Sequence, residues 1–140
     1  MLLNNYIANI IILLIKKWTR RFVMNNYIKK KSKDPDFEEK GYFKGYHLTT
    51  GKPDIGIDYI EMELGHQFVQ KELESIHIYY IIEGKGIATI DNNKYEIEQG
   101  DTVEIPTGTE FAFKGKMKMI EVMNPPFDIN THIDLRKNEI

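Results

Sequence analysis

Two neighbouring side chains in this sequence could move a proton, His77 and Tyr79. They lie two apart in Ile76-His-Ile-Tyr-Tyr-Ile-Ile-Glu83, a run rich in β-branched and aromatic residues that predicts a strand. Alternate residues of a strand share a face, so His77, Tyr79 and Ile81 belong together and Tyr80 and Ile82 point the other way. An imidazole, with a reference pKa of about 6.5, can serve as a general base near neutral pH or hydrogen-bond a ligand. It can equally be a packed histidine satisfied by neighbouring polar groups. Tyr79 is the candidate acid beside it. Phe111 and Phe113, again two apart, add apolar wall, and an aromatic recess with a few polar groups is how small-molecule pockets are built. Other chemistries are excluded. With no cysteine there is no thiolate nucleophile, disulfide or thiolate zinc site. Gly84-Lys-Gly86 is not followed by a helix whose N–H groups could hold phosphate. His66 is read as a solvated residue at a strand end.

The elements that must position these groups are short and evenly spaced. Strands are predicted at Ile76 to Glu83, Gly86 to Ile90, Lys94 to Ile97, Val103 to Ile105, Phe111 to Lys114 and Met117 to Met123. Asp91-Asn92-Asn93 forms a tight turn, because Asp and Asn tolerate positive φ. No ten-residue stretch after residue 24 carries a 3.6-residue period, and many short strands argue a sandwich or barrel. Gly41 to His47 is predicted to be an edge strand and Gly51-Lys-Pro-Asp54 a turn. Ile55 to Leu64 is apolar on both faces, as for a strand covered by the core on one side and a partner on the other. Asn25 to Glu39 is polar and expected to be flexible. Pro125-Pro126 ends the last strand, leaving residues 128–140 as a C-terminal tail. At 140 residues, 29% charged and 41% apolar, the chain has the balance of one globular domain. A formal charge of −2 offers no nucleic-acid surface.

Gly100, Pro106 and Gly108 fall on the pattern G(x)5PxG(x)2H(x)3N. Gly65 and Gly84 match the outer glycines of G(x)5HxH(x)3-4E(x)6G. With these two frames the chain resembles the cupin family over roughly residues 60 to 125. The resemblance implies an all-β double-stranded β-helix, or jelly-roll barrel, over residues 41–127. In that family two histidines and a glutamate of the first motif and a histidine of the second hold a divalent metal in the barrel mouth. Here Phe111 stands at the second-motif histidine, Gly115 at its asparagine and His77 at the glutamate. The two first-motif histidines correspond to Lys71 and Leu73 or, with the longer spacing, to Gln70 and Glu72. Glutamine is a poor ligand for transition metals. The resemblance therefore implies no metal and no cofactor, and a ligand site of Gln70, Glu72, His77, Tyr79, Phe111 and Phe113. Were a metal present, Gln70, Glu72 and His77 would be its ligands.

The function expected is metal-independent binding of a small molecule in the barrel mouth. The alternative is a metal-free isomerase or epimerase of sugars or sugar nucleotides, with His77 as base, and a metal-dependent enzyme comes third. The expected partners are that small molecule and a second copy of the chain, a homodimer formed through the edge of Ile55 to Leu64. Neither nucleic acid nor membrane is expected, and the expected setting is the cytoplasm of a low-GC bacterium. Residues 1–23 stand apart. Tyr6 to Ile15 is apolar but for Asn9, about half the length that spans a bilayer. Arg20-Arg21 can be encoded AGG-AGG, a ribosome-binding sequence correctly spaced before Met24. Met24 is accordingly read as the native start, with a short apolar anchor as the alternative. Without residues 1–23 the formal charge falls from −2 to −6.

Overall fold

The structure, a computed structural model, describes residues 7–13, 28–50 and 54–140. The chain divides into two compact units, residues 1–30 and Lys31–Ile140. In the first, residues 7–13 are helical and exposed. The stretch from Arg20 to Met24, on which the start-site expectation rests, lies outside the described residues. Among the described residues no helix is long and apolar enough to cross a membrane.

The second unit is an antiparallel β-barrel of the jelly-roll type. Its strands are β1 (Phe37–Glu39), β2 (Phe43–His47), β3 (Gly56–Met62), β4 (Phe68–Glu72), β5 (Ile76–Ile90), β6 (Asn93–Glu98), β7 (Thr102–Ile105), β8 (Glu110–Asn124) and β9 (His132–Lys137). The two 15-residue strands β5 and β8 run against each other from Ile76↔Asn124 to Ile90↔Phe111. β8 also pairs with β3 and β4, and β5 with β6 and β7. The pleat sorts the side chains. Met117, Met119, Glu121 and Met123 are buried, while Lys118, Ile120 and Val122 between them are only half-buried on the opposite face. Ile60, Met62, Ile81, Phe111, Phe113, Met117 and Met119 belong to one core. Each such side chain stabilises the barrel by roughly 1.5–3 kcal/mol relative to exposure.

Two motif glycines are required by close approach. At Gly84 φ is +91°, and an added Cβ would lie 2.2 Å from the Lys116 carbonyl oxygen; at Gly65 φ is +136° and the Phe113 carbonyl lies at 2.3 Å. Asp91 and Asn92 both adopt positive φ, as the hairpin turn requires.

Three expectations are corrected. β3 is not an edge: β2 pairs with one side of it and β8 with the other, and β1 closes the outside of β2. The polar N-terminal stretch ends in this strand, and the Phe37 ring lies over Gly45, where an added Cβ would come within 2.0 Å of it. The segment read as a tail supplies β9, which pairs with β4.

Candidate functional site

The strand register brings His47, Asp58, Glu121 and Tyr79 into one row across β2, β3, β8 and β5. His77 lies one inward position away, opposite Met123. The side chains close a buried network. His77 Nδ1 lies 2.6 Å from Glu121 Oε1, and the Tyr79 hydroxyl donates to the same oxygen at 2.5 Å. His77 and Tyr79 also approach each other at 3.3 Å. His47 Nδ1 lies 2.9 Å from Asp58 Oδ1. A second network stands on β4 and β9, where Glu72 Oε1 meets His132 Nδ1 and His132 Nε2 lies 2.9 Å from Asp134 Oδ1.

Burial sets the electrostatics. It pushes the Tyr79 phenol well above its ordinary range, and the negative charge of Glu121 pushes the same way. The charges of Glu72 and Asp58 add to this, so both carboxylates act on the same hydroxyl. Burial likewise raises Asp58; its hydrogen bond with His47 opposes that and the Glu121 charge reinforces it. His132 is raised above its usual value, chiefly by its bond to Glu72. Two buried atoms of these networks, His77 Nε2 and Glu72 Oε2, have no hydrogen-bond partner among the described residues.

Of the residues singled out in the sequence, His77, Tyr79, Phe111 and Phe113 come together. Ring centroids lie 5.9 Å apart for His77–Phe111, 6.0 Å for Tyr79–Phe111 and 4.7 Å for Tyr79–Phe113. Glu72 is buried, whereas Leu73 is 48% exposed. Gln70 is half-buried opposite Phe111 in the register. His66 is not solvated. It is buried between the rings of Phe43, Phe111 and Phe113, and its Nδ1 accepts the Phe113 N–H at 3.2 Å. Burial holds its pKa down at about 4. Glu121, Asp58, His47 and His132 were not singled out. Parity was the available signal for the first two: Glu121 alternates in step with Met117, Met119 and Met123, and Asp58 with Ile60 and Met62.

A cleft of about 330 Å³ opens elsewhere, lined by Val69, Ile87, Lys94, Lys114, Arg136 and Lys137 among others. None of His77, Tyr79 or Glu121 lines it. That cleft and the buried His77–Tyr79–Glu121 network are separate places on the barrel.

Residues 61–123 match the family model described as Cupin domain. The barrel has the cupin fold. Solved structures similar to it include the nucleoside dehydratase Pac13 of Streptomyces, in a form with uridine. The likeness to that form has a TM-score of 0.72 at 19% identity, covering 79% of this chain and 93% of that one. KdgF from Halomonas sp. is similar at a TM-score of 0.58 and 18% identity, over 68% of this chain and 88% of that one. An uncharacterized protein of Methanocaldococcus jannaschii is 36% identical over 63 residues, which are 42% of this chain; the chain spans 50% of that relative's length.

The residues of this barrel do not fit the metal centre that resemblance to the cupin family implies. The fourth donor position is the buried ring of Phe111, and His77 Nδ1 is engaged by Glu121. Among the described residues no three His, Asp or Glu side chains are arranged to hold a metal ion.

Proposed function

We propose that this cupin-fold domain binds a small polyhydroxylated molecule, such as a nucleoside or sugar, at the His77 end of the barrel and moves a proton on it without a metal. His77 is the base. The observation that carries this reading is the buried, unpartnered Nε2 of an imidazole whose Nδ1 faces a carboxylate. A carboxylate accepts from an N–H, so in the neutral ring the proton sits on Nδ1 and the lone pair is left on Nε2. That is the form a general base needs. A buried nitrogen without a partner is costly, and a ligand hydroxyl or a C–H to be deprotonated answers that need. Tyr79 spends its hydroxyl on Glu121, and its raised pKa suits it to holding that carboxylate rather than to giving up a proton. Pac13, of similar fold, is a nucleoside dehydratase solved with uridine in variants that replace a histidine or a tyrosine. That supports testing nucleosides first.

The test is incubation with uridine, related nucleosides and aldoses in deuterated water, read by proton NMR. A substrate C–H should exchange or be consumed with the wild type and not with His77→Gln, while calorimetry shows the variant still binding. Equal turnover by His77→Gln would refute the base assignment. Tight binding without exchange or turnover would leave the domain a non-catalytic binding module.

A further inference from the structure

The cleft apart from the His77 network gathers cations that packing does not call for. It lies where β9, β4, β8, β5 and β6 follow one another in the sheet. Ile87, Thr89 and Lys114 alternate with the buried Ala88 and Phe113, so they point away from the core. Arg136 is the register partner of Val69, Lys137 of Phe68, Lys114 of Ile87 and Lys94 of Thr89. These pairings bring four cations, from β6, β8 and β9, to one space of about 330 Å³. Val69 and Ile87 are its apolar lining, and Thr89, Asn92 and Asn138 add neutral polar groups.

Composition does not account for this cluster. The chain has 21 acidic and 19 basic residues, yet the cleft sets four cations against one carboxylate, Glu139. Arg136 Nη1 donates to Glu110 at 2.9 Å and Nη2 to Asn92 Oδ1 at 2.8 Å. Those bonds hold the guanidinium in place and leave others of its five N–H donors for a ligand. Lys114 and Lys137 have no ion-pair partner among the described residues. Crowded like charges repel, and an anion in their midst relieves the repulsion. The chain itself puts a weak one there. Glu139 reaches Lys94 at 3.2 Å, with the two side chains 87% and 62% exposed. A pair so exposed contributes little, and a stronger anion displaces it.

We propose that this cleft binds a small phosphomonoester, with its phosphate on Arg136, Lys114 and Lys137 and its organic body along Val69 and Ile87. A phosphomonoester carries nearly two negative charges at neutral pH and three strong acceptor oxygens. That matches two unpaired ammoniums and a guanidinium fixed to donate as a fork. A carboxylate brings one charge and leaves part of this set unanswered. The volume is at the lower end for small-molecule sites, which is room for more than a bare ion. The inference does not depend on the chemistry proposed for His77.

The test is titration of the nitrogen-15-labelled full chain with uridine 5′-monophosphate, glucose 6-phosphate, inorganic phosphate and uridine, followed by amide shifts. Both esters should move the signals of Val69, Ile87, Lys114 and Arg136, and uridine should not. Shifts around His77 report the other site, so failure at one place is distinct from failure at the other. Lys114→Gln and Lys137→Gln, both at exposed positions, should each weaken ester binding by about tenfold, the lower end for a charge-assisted hydrogen bond. Glu139→Gln removes the competing carboxylate and should tighten binding by up to about fivefold. Glu104→Gln, the same loss of charge on β7, should not. His77→Gln should leave ester binding unchanged. Ester shifts confined to the His77 end, or ester binding lost in His77→Gln, overturn the proposal. So does equal tightening by Glu139→Gln and Glu104→Gln, since net charge alone would then be at work. Inorganic phosphate binding as tightly as both esters overturns it too, because the apolar lining would have no part.

Discussion

Glu121→Gln tests the proposed chemistry at its root, because it removes a charge and almost no volume. In the wild type one carboxylate oxygen receives both the His77 Nδ1–H and the Tyr79 hydroxyl, at 2.6 and 2.5 Å. A hydrogen bond to a charged group is worth about 1.5–3 kcal/mol net. On that scale Glu121 favours the Nδ1–H tautomer by roughly 13- to 160-fold. A glutamine cannot do the same. With its carbonyl toward His77 the bond becomes neutral, about 0.5–1.5 kcal/mol, and the preference falls to roughly 2- to 13-fold. With its amide toward His77 it donates to Nδ1, moves the ring proton to Nε2 and strands the Tyr79 hydroxyl. Long-range proton–nitrogen correlation spectra of nitrogen-15-labelled protein report the tautomer directly and need no substrate. The wild type should show a pyrrole-like Nδ1 and a pyridine-like Nε2 at His77, and Glu121→Gln a mixed or inverted pair. Turnover should fall with the Nδ1–H population at least, and by up to about 10⁴-fold if the tautomer inverts. A wild-type His77 carrying its proton on Nε2, or a spectrum unchanged in Glu121→Gln, would refute the reasoning.

Other outcomes follow from the same geometry. His66, held at about 4 when folded against 6.5 for the free side chain, takes up a proton more readily in the unfolded chain. Stability should therefore fall as pH drops from 6.5 towards 4, by ~3 kcal/mol from this residue. The difference between wild type and His66→Gln in urea unfolding should shrink by that amount, and a constant difference would show a hydrated imidazole. Gly84→Ala should cost about 2 kcal/mol or more in the same assay, because its Cβ meets the Lys116 carbonyl at a φ that L-residues avoid. Phe111→His should destabilise by about 1–3 kcal/mol through lost apolar packing and add one donor near the His77 ring. Zinc titration by calorimetry should then show weak binding at most. Roughly one metal per wild-type chain, abolished by His77→Ala, would contradict the mismatch described above.

The barrel was legible because its signals are local. Glycines at forced φ, the Asp91-Asn92 turn and period-two alternation each depend on a few consecutive residues. His77, Tyr79, Phe111 and Phe113 were legible for the same reason, since parity along one strand assigns a face. What escaped were partners fixed by register between distant strands. Glu121 meets His77 across 44 residues and His132 meets Glu72 across 60. Alternation alone says that Glu121 travels with three methionines, but a lone acid in an apolar row has no evident partner until β5 lies beside β8. β9 was missed because Ile133 and Leu135 alternate with charged residues over only six positions and leave no buried face.

The belt at the His77 end is not what holds the barrel together. Asp58, Glu72 and Glu121 are 4%, 3% and 7% exposed, and each is matched by one imidazole, from His47, His132 and His77 respectively. Burying a carboxylate costs several kcal/mol, and a partner at best offsets that cost; apolar residues of similar volume would often serve the fold as well or better. The rows next along the same strands do so, with Ile60, Met119 and Ile81 in register partnership and fully packed. Packing therefore gives no reason for three acid–imidazole pairs at one end of the barrel. The proposed proton handling does for His77, where the pairing puts the hydrogen on Nδ1 and leaves Nε2 buried and, among the described residues, without a partner.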